Sequence, residues 1–268
     1  MKKLLLTTLC LLLLSSLVLG QAKSKTTSKK VQRYGGISCG MDPILPTDGS
    51  YTSDYVGAAG SPGSANYYLV HLKDGHSYSA EAYDSTDITV IAGSAQLSLI
   101  AAADCKTALP TTDVISLDPD LSLSFADRIS WIQTGNVDAV LVLSNSDNIN
   151  FYAYNIRITD TTLHNPRWST FSGFITQYAL VNNTSTAISG TLTLIDSTGT
   201  QYAAPVTVPA GGESFQTTGG LSIPADHFGF GTFAFVGPAG GITADAYFIN
   251  SNATVIVPST LGPRNYQH

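Results

Sequence analysis

The chain has 268 residues, only 12% of them charged, and a formal net charge of −6. An acidic polypeptide lacks the basic face that phosphates demand, which excludes nucleic acid as a partner. Without an export signal, the remaining length suits two domains of about a hundred residues each, the usual size of a β-sandwich.

Met1-Lys2-Lys3 is a short positive start, Leu4 to Leu19 is almost wholly apolar, and Gly20-Gln21-Ala22 places small residues at the −3 and −1 positions of a cleavage site. This is the three-part layout of a secretory signal over residues 1–22. The apolar run falls short of the roughly 20 residues a spanning helix needs. Cys10 lies inside that run rather than at the cleavage point, so no lipid anchor is expected. The mature chain should start at Lys23, carry no integral membrane segment, and be secreted, periplasmic or held at the cell surface. Lys23, Lys25, Lys29, Lys30 and Arg33 crowd a Ser/Thr-rich segment that holds no acid. Such a segment is expected to be disordered. It can rest on anionic lipid or cell-wall polymer, or simply be solvated. Residues 23–50 read as leader and linker, and the pattern-poor stretch runs on to about Pro62.

A period-two pattern then begins. Tyr68, Val70 and Leu72 share one face within Tyr67–Lys73; Tyr78, Ala80 and Ala82 share one within Ser77–Tyr83. Asp74-Gly75 between them predicts a two-residue hairpin turn. Further strands are predicted at Ile88–Ala92, Leu97–Ala101, Arg128–Ile132, Ala139–Leu143 and Phe151–Ile158. The run from Leu97 to Ala103 also reads as a helix because of its Ala content. Thr159–Pro166 is polar and turn-prone and sets the domain boundary, giving units at 51–162 and 163–268. In the second unit strands are predicted at Thr176–Val181, Ile188–Ile195, Gln201–Val208, Glu213–Thr217, Thr232–Val236 and Ala244–Asn250. Their separators are turn chemistry: Asp196–Gly199, Pro209–Gly212 and Gly237–Gly241. Short strands at this spacing predict an all-β chain of two β-sandwiches, jelly-roll or Ig-like, in tandem.

The segment Asn66–Ala82, with its aromatic-rich strand, Gly-ended turn and second strand, and the Tyr-rich strand Phe151–Ile158, resemble the bacterial pre-peptidase C-terminal domain. The resemblance covers about residues 51–162. It implies a non-catalytic, jelly-roll-like β-sandwich appended to exported proteins, some members binding matrix polymers or calcium. No peptidase domain precedes it here, unlike the family's usual context. The second β unit matches no family we can name.

Gly36-Ile37-Ser38-Cys39-Gly40 fits the G-x-S-x-G nucleophile elbow, which works only on a strand-to-helix turn over a parallel sheet; in a linker before an all-β chain it is read as coincidence. His71, His76, His164, His227 and His268 show no zinc spacing, and His71 and His76 read as solvated. Asp84/Asp87, Asp118/Asp120 and Asp147 sit in oxygen-rich stretches that suit Ca²⁺ but equally initiate turns, and the turn reading is preferred. Glu81 and Glu213 are the only glutamates, too few to argue a glycosidase pair from sequence. The sequons at Asn182 and Asn252 carry no weight in a bacterial-type chain. Most of the aromatics, among them Tyr51, Tyr55, Tyr67, Tyr68, Trp131 and Trp168, are expected in the core rather than on a binding face. Cys10 leaves with the signal, so Cys39 and Cys105 form an even pair in an oxidising compartment and are predicted to be disulfide-linked. The reading is a non-catalytic exported protein, without cofactor or metal, that binds or scaffolds an extracellular polymer or protein. A carbohydrate-binding or adhesion module is the alternative, and an exported hydrolase the second.

Overall fold

The computed structural model describes residues 43–57, 60, 64–84, 95–113, 125–145, 152–250 and 256–263. Wherever apolar and polar side chains alternate in them, the chain is extended, since only a pleated strand puts such a pattern onto one buried face. The strands are β1 (Thr52–Val56), β2 (Ala65–Leu72), β3 (Ser77–Asp84), β4 (Ala95–Ala101), β5 (Thr112–Asp113), β6 (Phe125–Ile132), β7 (Val137–Asn145), β8 (Tyr152–Asp160) and β9 (Leu163–Ser169). They continue with β10 (Phe174–Asn182), β11 (Ile188–Asp196), β12 (Gln201–Val208), β13 (Glu213–Thr217), β14 (Phe228–Phe235), β15 (Ile242–Asn250), β16 (Ile256–Thr260) and β17 (Gly262–Pro263). Among the described residues there is no α-helix, and none is long and apolar enough to cross a membrane.

The fold is an all-β sandwich built of antiparallel sheets. A five-stranded sheet, β1-β8-β3-β6-β5, and a three-stranded one, β2-β7-β4, both contribute to one hydrophobic cluster. Val70, Leu99 and Leu141 enter it from the smaller sheet; Tyr78, Ile129, Trp131, Tyr154 and Ile156 enter from the larger. A five-stranded sheet, β12-β11-β14-β9-β17, and a four-stranded one, β13-β10-β15-β16, share a second cluster that includes Trp168, Tyr178, Leu192, Phe233 and Ala246. The first cluster draws on residues up to Ile158 and the second starts at Leu163.

Several expectations need correction. The Asp74-Gly75 turn does not close a hairpin: β2 pairs with β7, whereas β3 pairs with β6 and β8. The turn, with Gly75 at φ 70°, carries the chain from one sheet to the other. Both strands have an apolar face, and an arch lets those faces meet across the core, which an in-plane hairpin does not. Residues 43–50 are not mere linker. Leu45 is buried in the first cluster, its N–H bonds to the Leu69 carbonyl at 2.9 Å, and β1 follows directly. The region Thr159–Pro166 is no long loop, because β8 runs to Asp160 and β9 begins at Leu163. Leu97–Ala101, by contrast, is strand as expected, and the alternative helix over Leu97–Ala103 is not formed, because pairing with β7 buries Leu97 and Leu99 on one face. Ile88–Ala92 lies outside the described residues.

Candidate functional site

Strand β14 reads Phe-Gly-Phe-Gly-Thr-Phe-Ala-Phe, and its odd and even positions face opposite ways. Phe233 and Phe235 are buried in the second cluster, whereas Phe228 and Phe230 are 42% and 50% exposed. Beside Phe230 the neighbouring strand β9 carries a β-bulge. Gly229 stands opposite Trp168 and Gly231 opposite Asn165, so Pro166 and Arg167 of β9 together face the single residue Phe230. Proline has no N–H to give the ladder, so a bulge is one of the few places a strand tolerates it. The Phe230 carbonyl is taken instead by the Trp168 indole Nε1–H at 2.9 Å. Gly229 is required by space: a Cβ there would lie 1.8 Å from the Ile195 carbonyl oxygen.

The bulge is held from both sides. The Ser259 hydroxyl donates to the Arg167 carbonyl at 3.1 Å, and Asn165 Nδ2 donates to the Thr260 carbonyl at 2.5 Å. At the other end of β9, Thr170 exchanges backbone and side-chain bonds with His227, and its hydroxyl donates to the Pro224 carbonyl. That clasp sets Phe171, 43% exposed, beside Phe228, with ring centroids 5.8 Å apart. Between the Phe228–Phe230 edge, the Pro166-Arg167 bulge and the turn at Asp196-Ser197 lies an open groove of about 560 Å³.

Asp196 forms the inner wall, and its carboxylate is saturated. Oδ1 accepts from Thr198 N, Thr198 Oγ1 and Thr200 N at 2.6–2.9 Å; Oδ2 accepts from His227 Nδ1 at 3.0 Å. The Thr198 hydroxyl, the Thr200 and Thr198 amides and His227 hold this carboxyl well below the usual carboxylate range against the opposing effect of desolvation. Arg167 differs. It is exposed, and its guanidinium has no hydrogen-bond or ion-pair partner among the described residues.

The residues singled out from sequence fall elsewhere. His71 is exposed and meets Asp138 at 2.6 Å. His76 is not solvated: its side chain is 16% exposed, Nδ1 donates to Asp160 Oδ2 at 2.7 Å, and its ring lies 5.5 Å from that of His164. Glu81 is buried between Arg128 (3.0 Å) and Arg157 (2.5 Å), while Glu213 lies exposed on β13 in another sheet; the two glutamates form no pair across a cleft. Asn182 is buried, with Nδ2 donating to the Thr186 and Val208 carbonyls, so it is closed to glycosylation in the folded chain. Tyr68, Tyr78, Tyr154, Trp131 and Trp168 are core, but Tyr51 and Tyr55 are exposed. Cys105 follows the Asp104 turn at φ 56° and is disulfide-bonded to a residue outside the described ones. Cys39, Ser38, His268, Asp87, Asp118, Asp120, Asp147 and Asn252 lie outside the described residues, as do the side chain of Asp84 and the whole 1–42 segment. Among the described residues no group of three or more His, Cys, Asp or Glu is placed to hold a metal.

The groove is not visible in the sequence pattern, because the strand predicted there, Thr232–Val236, leaves out Phe228 and Phe230, whereas β14 begins at Phe228. The alternation Phe-Gly-Phe-Gly was the available clue, since small residues between large ones mark a strand with another backbone pressed close. The geometry defines an all-β sandwich protein with a rigid, aromatic-edged groove. The chain matches no protein-family model and no curated protein.

Proposed function

We propose that this is an exported, non-catalytic protein that binds a partner outside the cytoplasmic membrane, with the Phe228–Phe230 groove as its binding surface. The carrying observation is the pair of outward phenyl rings on β14, set beside a bulge of β9 that is hydrogen-bonded to β16 and to the Phe230 carbonyl. Exposed aromatic side chains on an immobile frame bind with little loss of conformational freedom. Export is inferred from the layout of residues 1–22, and the Cys105 disulfide suits an oxidising compartment. Cys39 is the proposed partner of Cys105. Two tandem sandwiches divided at residues 162 and 163 are the proposed organisation, supported by the two hydrophobic clusters. A relationship to the pre-peptidase C-terminal family is proposed for residues 51–162. The carbohydrate-binding reading is favoured by exposed Tyr55, whose ring offers a face for a sugar to stack on.

Expression of the full chain in a bacterial host with fractionation and a fragment screen followed by NMR tests the proposal. Expected are a mature chain starting at Lys23 outside the cytoplasm, fragment-induced shifts centred on Phe228 and Phe230, and no turnover of ester, peptide or glycoside substrates. Retention of Met1 on exported chain, fragments that bypass the groove, or turnover abolished by Ser38→Ala would each overturn a part of it.

A further inference from the structure

We infer that the groove recognises organic acids, namely a carboxylate joined to an apolar or aromatic body, with Arg167 receiving the carboxylate and Phe228 and Phe230 the body; this rests on the groove being a binding surface. Its charge follows from what its two ionic residues already do. Both oxygens of Asp196 are taken by donors of its own turn and by His227. That carboxylate has little capacity left to attract a cation, and a ligand amine placed there would displace bonds that hold the turn. Arg167 offers a planar fork of donors with no partner among the described residues, and such a fork matches a carboxylate in bidentate fashion. Asp196 keeps its negative charge, but its side chain is 0% exposed, so the group beside the rings with bonds still to offer a ligand is the exposed, positive Arg167.

The apolar part of the ligand follows from the rings. Phenylalanine carries no hydrogen-bonding group, so a ligand edge laid against Phe228 or Phe230 must itself be apolar to gain from the contact. The groove's volume of about 560 Å³ lies within the range of small-molecule sites. Its backbone is preset: Pro166 and the bulge fix the direction of Arg167, and the Trp168 bond fixes Phe230. Little of the backbone must be ordered when the ligand arrives; the ordering falls on the Arg167 side chain.

The test compares 4-phenylbutyrate with its neutral amide, 4-phenylbutanamide, by isothermal titration and by NMR shifts of the full mature chain. The acid is expected to bind about tenfold tighter than the amide at low salt, from one charge-assisted pair. Arg167→Gln should erase that preference, weakening the acid far more than the amide. Arg167→Lys should restore part of it, and Phe230→Ala should weaken both ligands. Both positions are exposed, so folding is checked simply by an unchanged amide spectrum away from the groove. Equal binding of acid and amide to the wild type, or a preference that survives Arg167→Gln, would overturn the assignment to organic acids yet leave the groove a binding surface. If neither compound shifts groove resonances, both readings fall.

Discussion

Glu81→Gln should destabilise the first hydrophobic cluster by about 3–5 kcal/mol, the range for removing one partner of a buried ion pair. Glu81 stands directly across from Arg128 on β6 and from Arg157 on β8, so one rung of the sheet carries a carboxylate flanked by two guanidiniums. Glu81 is 1% exposed and Arg128 4%, whereas Arg157 is 23% exposed and lies over the Tyr51 ring at 4.8 Å. Glutamine keeps the shape and removes the charge, leaving Arg128 charged in a site that water barely reaches. Arg157→Met should cost far less, about 1 kcal/mol, because solvent screens that partner and the Arg128–Glu81 pair survives. The assay is urea unfolding in a Trp168→Phe background, where Trp131, which belongs to the same cluster, is the sole tryptophan. At a slope of about 2 kcal/mol per molar urea, Glu81→Gln should lower the midpoint by about 1.5–2.5 M. A loss below 1 kcal/mol, or an Arg157→Met variant as unstable as Glu81→Gln, would refute the view that burial of Arg128 sets the penalty.

Gly229→Ala must push β14 away from Ile195, because its Cβ would overlap that carbonyl oxygen at 1.8 Å. The variant should lose at least about 2 kcal/mol, in the range of overpacking, and lose ligand-induced shifts at Phe228 and Phe230; unchanged unfolding would contradict the close approach. Asp160 is raised by burial but lowered further by the His76 and Thr162 hydrogen bonds and the His76 charge, so its carboxyl lies below the usual value in the folded state. Asp196 is lowered as well, chiefly by the Thr198 hydroxyl. Both therefore add stability that is full above the unfolded carboxylate value of about 4 and lost as pH falls through the lower folded values. Unfolding free energy should fall with pH below about 4, and less steeply in Asp160→Asn; a flat profile from pH 5 to 2.5 would contradict this. Non-reducing mass spectrometry of exported protein should find a Cys39–Cys105 linked peptide, and Cys105→Ser should cost roughly 4 kcal/mol on the chain-entropy model. Two alkylatable thiols without reduction would end that assignment.

Strand identity was legible wherever a strand has one wet face and one dry one. Tyr178 and Leu180 along β10, or Tyr154, Ile156 and Ile158 along β8, could be read from alternation alone, because a two-residue period has no other structural solution. Pairing was not legible in the same way. The Asp74-Gly75 turn suits a hairpin and an arch equally well in its local geometry, and only the need to set Tyr68 and Val70 opposite Tyr78 and Ala80 across a shared core selects the arch. The candidate site was hidden for a related reason. The odd spacing from Phe230 to Phe233 puts Phe228 and Phe230 on one face of β14 and Phe233 and Phe235 on the other, but both faces carry phenyl rings and nothing local says which is buried. The sequence by itself determined that this chain is all-β and which residues share a face, while only tertiary packing, which sets Phe233 and Phe235 in the second cluster and the β9 bulge beside Phe230, decided which rings remain outside as a groove.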